Sequence, residues 1–267
     1  MKISRRRLLL AGVSLRAGAQ ERAGFRWPGG KRAAVSLSFD DARPSQLDVG
    51  IPLLDRNGTP ATFYLSPGSM VKRLADWKKV AAGKRHEIGN HSSTHPCTGN
   101  YGFSKSRALE DFTRSRMEAD LDQANEEISR QLGVKPVSFA YPCGQKFIGR
   151  GEETQSYVPL VARRFLTGHG YLDEAANDPE VCDLANLMGI GFDDIRFDQM
   201  RGIVETAAKE GRWVVFVGHD VGTPRRQTVV AEDLERLCRY LTDASSGVWI
   251  ETVGTVARHI QSARKAR

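Results

Sequence analysis

Two short polar stretches carry residue types that bind divalent metal ions and activate water. Asp40 and Asp41 directly follow the apolar run VSLSF, and adjacent carboxylates raise each other's proton affinity, which a nearby cation relieves. His91 and His95 lie four residues apart in HEIGNHSSTHP, and neutral imidazoles are good zinc ligands. One Asp and two His leave coordination positions open for a water molecule. Taken singly, the Asp pair also fits a turn and the His pair a polar loop.

Two later apolar runs end in residues that can assist hydrolysis. VSFAY leads into PCG at residues 142–144, which forms either an ordinary turn or a loop that directs a backbone N–H at an oxyanion. WVVFV leads into GHD at residues 218–220, and a histidine beside a metal site is a natural general acid. Each feature alone fits a structural role equally well. Only their combined order along the chain indicates a functional site.

The elements that must position these residues alternate between strand and helix patterns. The alternation predicts one α/β domain with a parallel sheet, open or closed into a barrel, whose functional groups gather beyond the carboxyl ends of the strands. Predicted strands cover residues 34–39, 61–65, 86–89, 137–141, 165–167, 187–190, 213–217 and 248–251. Predicted helices lie near residues 45–57, 70–82, 107–132, 197–210, 229–243 and 252–263.

The positive net charge is concentrated at the two ends of the 267-residue chain. Of the formal net charge of +7, +5 lies in residues 1–19, +3 in the last six residues and −1 in residues 20–261. A nearly neutral body argues against nucleic acid as a partner. The sequence leaves the oligomeric state open.

The first 19 residues resemble a bacterial export signal. A basic start is followed by the short apolar run 8–15 and by a small-x-small cleavage site at residues 17–19. The stretch SRRRLL resembles the twin-arginine pattern. The apolar run is shorter than the roughly 20 residues that span a bilayer, so no stable membrane span is expected. We therefore expect a twin-arginine-type signal at residues 1–19 and a periplasmic or extracellular domain at residues 20–267.

Together, the ordered motifs resemble those of the polysaccharide deacetylase family, the chitooligosaccharide and peptidoglycan deacetylase (NodB) homology group. SFDD resembles its first motif, T-F-D-D, and HSSTH matches its second, H-[ST]-x-x-H. FAYPCG is a variant of its third, R-x-P-Y-G, and VGH resembles its last, L-x-H. The resemblance implies a single-domain, distorted (β/α) barrel of about seven parallel strands. It also implies hydrolysis of N- or O-acetyl groups on an acetylated carbohydrate.

The resemblance assigns a metal site and a set of catalytic groups, carried over residue by residue. Asp41, His91 and His95 would hold a divalent metal, Zn²⁺ first and Co²⁺ or Ni²⁺ as alternatives. The remaining roles are a general base at Asp40, a general acid at His219, and an oxyanion-hole donor at the backbone N–H of Cys143.

Two family features have no clear counterpart in the sequence. The arginine of the third motif, which orients and tunes the base, falls on Ala140. Arg150 and Arg164 are the substitutes considered. The fourth motif, an Asp–Trp element, has no match in residues 170–200, where three acids are candidates although surface acids are the simpler interpretation: Asp193, Asp194 and Asp198.

Four cysteines show no C-x-x-C spacing, which argues against a structural zinc site. Because Cys97 follows the second motif and Cys143 lies in the third, convergence of those motifs and export would allow a disulfide between them; a Cα separation above about 7 Å would exclude it. The other cysteines and histidines are interpreted as structural, with His169 also considered for the pocket wall: Cys182, Cys238, His86, His169 and His259.

Three alternatives to a carbohydrate deacetylase remain open. The same fold and metal could act on a small cyclic imide or amide. A non-catalytic carbohydrate-binding relative would have no need for Asp40 or His219. A non-haem iron oxygenase shares the two-His-one-carboxylate triad but not the adjacent acid pair.

Overall fold

A single parallel sheet forms the centre of the chain in the computed structural model, which describes residues 24–266. The predicted export signal at residues 1–19 lies outside the described residues. Seven strands follow one another in the order β7-β4-β3-β2-β1-β9-β8, and an eighth, β12, pairs with the start of β1. These strands are β1 (Ala33–Asp40), β2 (Thr62–Leu65), β3 (Glu87–Asn90), β4 (Ser138–Ala140), β7 (Thr167–His169), β8 (Ile190–Gly191), β9 (Trp213–Gly218) and β12 (Val248–Ile250).

In the described part of the chain, two short strand pairs lie beside the main sheet, and eight α-helices connect and cover the strands. Strands β5 (Phe147–Ile148) and β6 (Gln155–Ser156) are antiparallel, whereas β10 (Asp220–Gly222) and β11 (Thr228–Val230) are parallel. The helices are α1 (Ile51–Arg56), α2 (Pro67–Met70), α3 (Leu74–Gly83), α4 (Arg114–Leu132), α5 (Val158–Arg164), α6 (Phe197–Glu210), α7 (Ala231–Thr242) and α8 (Val253–Lys265).

The sheet curls until its two ends approach each other. Leu187 forms a parallel bridge with His169 at the end of β7, while Ile190–Gly191 pairs with β9. The predicted strand 187–190 is therefore divided between two edges, which explains why only its end is a regular strand. The prediction of a distorted barrel of about seven parallel strands in a single domain is confirmed.

The two faces of β1 bury different kinds of side chain, as the alternation of a strand requires. Val35, Leu37 and Phe39 face the helices and belong to the largest apolar cluster. Ser36 and Ser38 face the interior of the curl, where Ser36 accepts a hydrogen bond from the indole of Trp213 at 3.0 Å. Small polar side chains inside and large apolar ones outside let the sheet curl tightly while all of β1 stays buried.

The longest helix begins later than its apolar periodicity predicts. Residues 102–111 form 3₁₀ turns, and α4 begins after Thr113, whose side chain accepts a hydrogen bond from the Arg116 N–H. At the other end Gly133 adopts the left-handed conformation, with a φ of 70°, that the sequence predicts for a C-terminal cap. None of the helices within residues 24–266 is both long and apolar enough to cross a membrane.

Replacement of Gly89 in β3 by alanine should destabilise the fold. An added Cβ would lie 2.4 Å from Cδ1 of Tyr64, a ring that is fully buried and cannot move aside. We expect a loss of about 1–3 kcal/mol in the free energy of unfolding, measured by urea denaturation. Gly202→Ala in α6 is the control, because nothing lies within 4 Å of its added Cβ. That variant should gain about 0.5–1 kcal/mol, and equal stabilities of the two variants would contradict the assigned packing.

Candidate active site

Three side chains from two strand ends converge beyond the carboxyl edge of the sheet. Asp41 follows β1 in a left-handed conformation with a φ of 79°, and its Oδ1 lies 3.4 Å from Nε2 of His91 and 3.2 Å from Nε2 of His95. The three ligand atoms lie within 4.8 Å of one another. One carboxylate and two imidazoles grouped on one side match the donor set of a divalent ion with open coordination positions.

A backbone carbonyl selects the nitrogen with which His91 faces this cluster. Nδ1 of His91 lies 2.9 Å from the carbonyl oxygen of Ala140, and a carbonyl only accepts, so Nδ1 carries the proton. In the neutral ring Nε2 is then unprotonated, faces Asp41 and can offer its lone pair to a metal ion. Such a contact to the second ring nitrogen is the usual support of a metal-ligating histidine.

The loop that carries His95 is held by a carboxylate that the sequence analysis did not identify. Asp120 of α4 is buried and accepts hydrogen bonds from the backbone N–H groups of Ser93 and Thr94. The backbone N–H of His95 donates to Oγ of Ser92 at 2.9 Å. Asp120 lies among the buried apolar residues of α4, next to Leu121 and one turn from Met117 and Ala124. The signal available in the sequence was an acid on the apolar face of a predicted helix.

Arg43, also missed, orients the carboxylate of Asp41. Its guanidinium donates to Oδ2 of Asp41 at 2.9 Å and 3.2 Å and to Oδ2 of Asp220 at 2.8 Å. Because Arg43 occupies Oδ2, Oδ1 of Asp41 is the oxygen that faces the two imidazoles.

The electrostatics of the cluster favour an ionised carboxylate. Burial by itself would raise the pKa of Asp41, but hydrogen bonds and charge interactions with His91 and His95 hold it well below its ordinary value. Burial lowers the pKa of His91, and the charge of Asp40 and the hydrogen bond with Asp41 outweigh this and raise it. An ionised carboxylate that faces two imidazoles fits a divalent cation.

Asp40 and His219 lie at the same edge with their reactive atoms in different environments. Asp40 is 3% exposed, and its Oδ1 has no hydrogen-bond partner among the described protein groups. His219 is held through Nδ1, 2.6 Å from Oδ2 of Asp193, and through its backbone N–H, 2.9 Å from Oδ1 of the same residue. This arrangement leaves Nε2 of His219 to act on a substrate.

The interpretation of Asp193 as a surface acid is wrong. Its side chain is only 4% exposed because both oxygens bind His219. Asp194 instead accepts from the backbone N–H of Gln227, and Asp198 lies on the surface of α6. The FDD stretch after β8 thus places one acid, Asp193, on His219, and only its folded position distinguishes it from its neighbours.

Neither arginine considered as a substitute for the family arginine reaches Asp40. Arg150 pairs with Asp111 at 2.8 Å on the surface, and Arg164 pairs with Asp122 at 2.6 Å. Both side chains are paired with carboxylates outside the strand-end cluster, so the position left open by Ala140 is not filled by either of them.

A disulfide joins the second and third motifs. Cys97 and Cys143 are bonded with a Cα separation of 6.0 Å, inside the limit expected from the sequence. Cys143 has a φ of 55° within the turn 142–144, and Gly144 follows with a φ of 68°. An added Cβ at Gly144 would lie 2.8 Å from the backbone nitrogen of Tyr171, so glycine permits this close approach.

The remaining histidines and cysteines have structural surroundings, with one exception. His86 accepts from the Ala61 N–H, Cys238 is buried, and partly buried Cys182 accepts from Arg264. His259 packs among aromatic rings. His169 is the exception: it is fully buried inside the curl, so it does not line an open pocket, yet its Nε2 has no partner among the described protein groups.

Removal of the Asp193 charge should move the pH dependence of any reaction that uses His219 as an acid. Burial lowers the pKa of His219, but the hydrogen bond and charge of Asp193 raise it overall. An acid acts while protonated, so activity falls as pH rises through this pKa. Asp193→Asn should lower the pKa, shift the alkaline limb of kcat/KM to lower pH and reduce kcat about tenfold to a hundredfold. Hydrolysis of a small ester across pH measures both effects.

The neighbouring acid supplies the control for this measurement. Asp194→Asn removes a carboxylate that holds the Gln227 backbone rather than His219. We expect its alkaline limb to coincide with that of the unchanged protein. Identical limbs for all three proteins would rule out Asp193 as the residue that tunes His219.

Comparison with known proteins agrees with this geometry. Residues 28–150 match the family model described as polysaccharide deacetylase, a segment that contains Asp40, Asp41, His91, His95 and Cys143. A curated relative, the uncharacterized protein YlxY of Bacillus subtilis (strain 168), is 38% identical over 98 residues. That match spans 37% of this chain and only 27% of the relative's length.

Solved structures extend the similarity to the whole sheet. A putative polysaccharide deacetylase from Mycobacterium smegmatis superposes with a TM-score of 0.60 at 18% identity, covering 90% of this chain and 94% of that one. A probable polysaccharide deacetylase from Pseudomonas aeruginosa PAO1 gives a TM-score of 0.63 at 15% identity, covering 88% and 93%. Residues 28–150 thus resemble the polysaccharide deacetylase family in sequence, and the chain shares the fold of these solved structures.

Proposed function

We propose that the protein is an exported, metal-dependent deacetylase that hydrolyses N- or O-acetyl groups of a carbohydrate. The observation that carries this proposal is the convergence of four elements on one edge of the sheet. They are the Asp41–His91–His95 cluster, the unpaired carboxylate of Asp40, the Asp193-held His219 and the turn 142–144. A carbohydrate-binding protein without catalytic activity would have no need for a buried carboxylate such as Asp40, whose Oδ1 has no partner among the described groups, or for a histidine fixed by Asp193.

Asp41, His91 and His95 would hold the metal, which when bound polarises an acyl oxygen and makes water more acidic. Zn²⁺ suits an Asp–His–His set, and Co²⁺ and Ni²⁺ are alternatives. Arg43 and the carbonyl of Ala140 keep two of these ligands oriented before any ion arrives, because they bind Oδ2 of Asp41 and Nδ1 of His91.

The chain's own groups account for the proton transfers. Asp40 accepts a proton from the attacking water, a role for which a carboxylate without a competing protein donor on Oδ1 is suited. The backbone N–H of Cys143 donates to the oxyanion that develops on the acetyl group. His219, kept protonated to higher pH by Asp193, then donates to the departing amine or alcohol.

Exposed aromatic rings beside the cluster favour a carbohydrate over a small imide or amide. Tyr101 and Phe103 are 46% and 55% exposed, and their rings are stacked with centroids 5.4 Å apart. Phe103 lies 6.3 Å from the ring of His95, which places this pair next to the proposed metal. Flat rings of this kind pack against the apolar face of a sugar, whereas a small imide would not extend beyond the metal.

Export is proposed from two features. The basic and apolar leader at residues 1–19 resembles a twin-arginine signal. The disulfide that braces the His95 loop to the turn 142–144 is suited to an oxidising compartment.

Acetate release from acetylated glycans tests the reaction. Chitooligosaccharides and acetylated xylan should release acetate, a chelator should abolish the release, and Zn²⁺, Co²⁺ or Ni²⁺ should restore it. Asp40→Asn should lower kcat about 10²- to 10⁴-fold, because the base is lost while the metal ligands stay. Asp48→Asn, at an exposed acid paired with Arg73, is the matched control and should keep full activity. Full activity of Asp40→Asn would exclude the assigned base, and turnover of small imides alone would favour the imide alternative.

The aromatic pair gives a separate test of the substrate class. Tyr101→Ala and Phe103→Ala should each raise KM for an acetylated oligosaccharide about tenfold, the effect of losing a stacking contact of about 1.4 kcal/mol. Hydrolysis of 4-nitrophenyl acetate should be unaffected because that ester reaches only the metal. Val181→Ala, at another exposed apolar residue, is the control and should leave both substrates unchanged. Equal losses on the oligosaccharide and the small ester would show that the pair supports the site rather than a sugar.

A further inference from the structure

Four buried polar atoms inside the curl of the sheet have no hydrogen-bond partner among the described protein groups. They are Oδ1 of Asp40, Oη of Tyr64, Oγ1 of Thr167 and Nε2 of His169. All four residues are at most 3% exposed. A buried polar atom without a partner is costly, and in folded proteins such atoms are usually satisfied by ordered water.

The strand register places these side chains on one face of the sheet. Asp40 is aligned with Tyr64, Tyr64 with Gly89, and Ser138 of β4 with Thr167. Because residues aligned across parallel strands point to the same side, Asp40, Tyr64 and Thr167 all point into the curl. His169 lies two residues beyond Thr167 on β7 and therefore points the same way.

A ring contact and the charge of Asp40 link three of these side chains. The rings of Tyr64 and His169 meet edge to face with centroids 4.6 Å apart. The charge of Asp40 is the strongest electrostatic influence that raises the pKa of His169, although burial is larger and lowers it overall. His169 is also aligned with Ala140, the position of the family arginine, so its side chain borders the space that arginine would occupy.

The donors and acceptors of this group match one tetrahedral water. Nδ1 of His169 lies 2.8 Å from the carbonyl of Gly170 and so donates, which leaves Nε2 of the neutral ring as an acceptor. Asp40 supplies a second acceptor. Tyr64, whose pKa burial raises well above its ordinary value, stays a hydroxyl donor, and Thr167 is another. Water donates twice and accepts twice, so its hydrogen-bonding capacity matches these two acceptors and two donors.

We propose that a buried water molecule joins Asp40 to His169, Tyr64 and Thr167, and that His169 acts through it as a positioning residue that holds Asp40 in place of the arginine absent at position 140. The water site stands on the geometry alone. The positioning role rests on the proposed function, because it assigns Asp40 as the base.

Crystallography of the full chain at about 1.5 Å resolution tests the water directly. We expect a density peak within about 3.2 Å of both Oδ1 of Asp40 and Nε2 of His169. His169→Phe removes the acceptor but keeps a flat ring, and the peak should disappear. No peak in the unchanged protein, or a direct contact between Asp40 and His169, would overturn the proposal whether or not the protein releases acetate.

Kinetics test the positioning role. His169→Phe should lower kcat for acetate release about tenfold to a hundredfold while KM and Zn²⁺ affinity, measured by calorimetry, stay unchanged. His169→Gln, which restores a polar atom near Nε2, should recover most of the loss. Thr167→Val removes one donor with little change of shape and should lower kcat less, which provides a second variant if His169→Phe does not fold.

A second buried histidine supplies the control. His86 is also buried but precedes β3, away from the cluster, and its Nε2 lies 3.4 Å from Oδ1 of Asp55. His86→Phe should alter the melting temperature but not kcat. Equal kcat losses for His169→Phe and His169→Gln, or no kcat loss in either, would refute the positioning role. Absence of acetate release from the unchanged protein would refute the proposed function and leave the density to decide the water site.

Discussion

The position of two adjacent carboxylates at the end of β1, one buried and one partly buried, is the constraint on which the active-site edge depends. Asp40 is the last residue of a strand that is buried throughout, and Asp41 follows it with 24% of its side chain exposed, so neither carboxylate is freely solvated. Uncompensated charges at such a place would cost several kcal/mol. Asp41 is compensated by Arg43 on one oxygen and by two imidazoles on the other. Within residues 24–266 no protein group donates to Oδ1 of Asp40, and this difference in environment fits the proposed roles of Asp41 as a metal ligand and Asp40 as a base.

The alternation of β1 makes that constraint compatible with a stable fold. Its outer face carries Val35, Leu37 and Phe39 into the largest apolar cluster, which anchors the strand between helices. Its inner face carries only small or polar side chains, among them Ser38, whose hydroxyl donates to the carbonyl of Phe216. The apolar outer face therefore anchors the strand, and the inner face can end in the carboxylate of Asp40.

The parts of the fold that depend on local sequence were predictable, and the parts that depend on distant contacts were not. Helix α6 matches its predicted range because its apolar period is local. The Asp41–His91–His95 cluster was predictable for a similar reason, since each motif lies at a strand end and parallel strands end at one edge. Asp193 could not be distinguished from the other two candidate acids, and Arg43 was missed, because nothing in their neighbourhoods differs from ordinary surface residues. Their roles arise only when segments 26 and 177 residues apart meet at His219 and Asp220.

Ala140 shows why the side chain of a catalytic motif can be lost while the motif remains. The carbonyl of residue 140 holds Nδ1 of His91, a contact that any amino acid at this position can make. The backbone of the third motif also brings Cys143 to its disulfide with Cys97. The contact to His91 and the disulfide both depend on the course of the backbone through β4 and the turn, and neither depends on the side chain of residue 140. An alanine there preserves the contact to His91 and the disulfide, and we assign the support of Asp40 to the neighbouring strand, where His169 is aligned with residue 140.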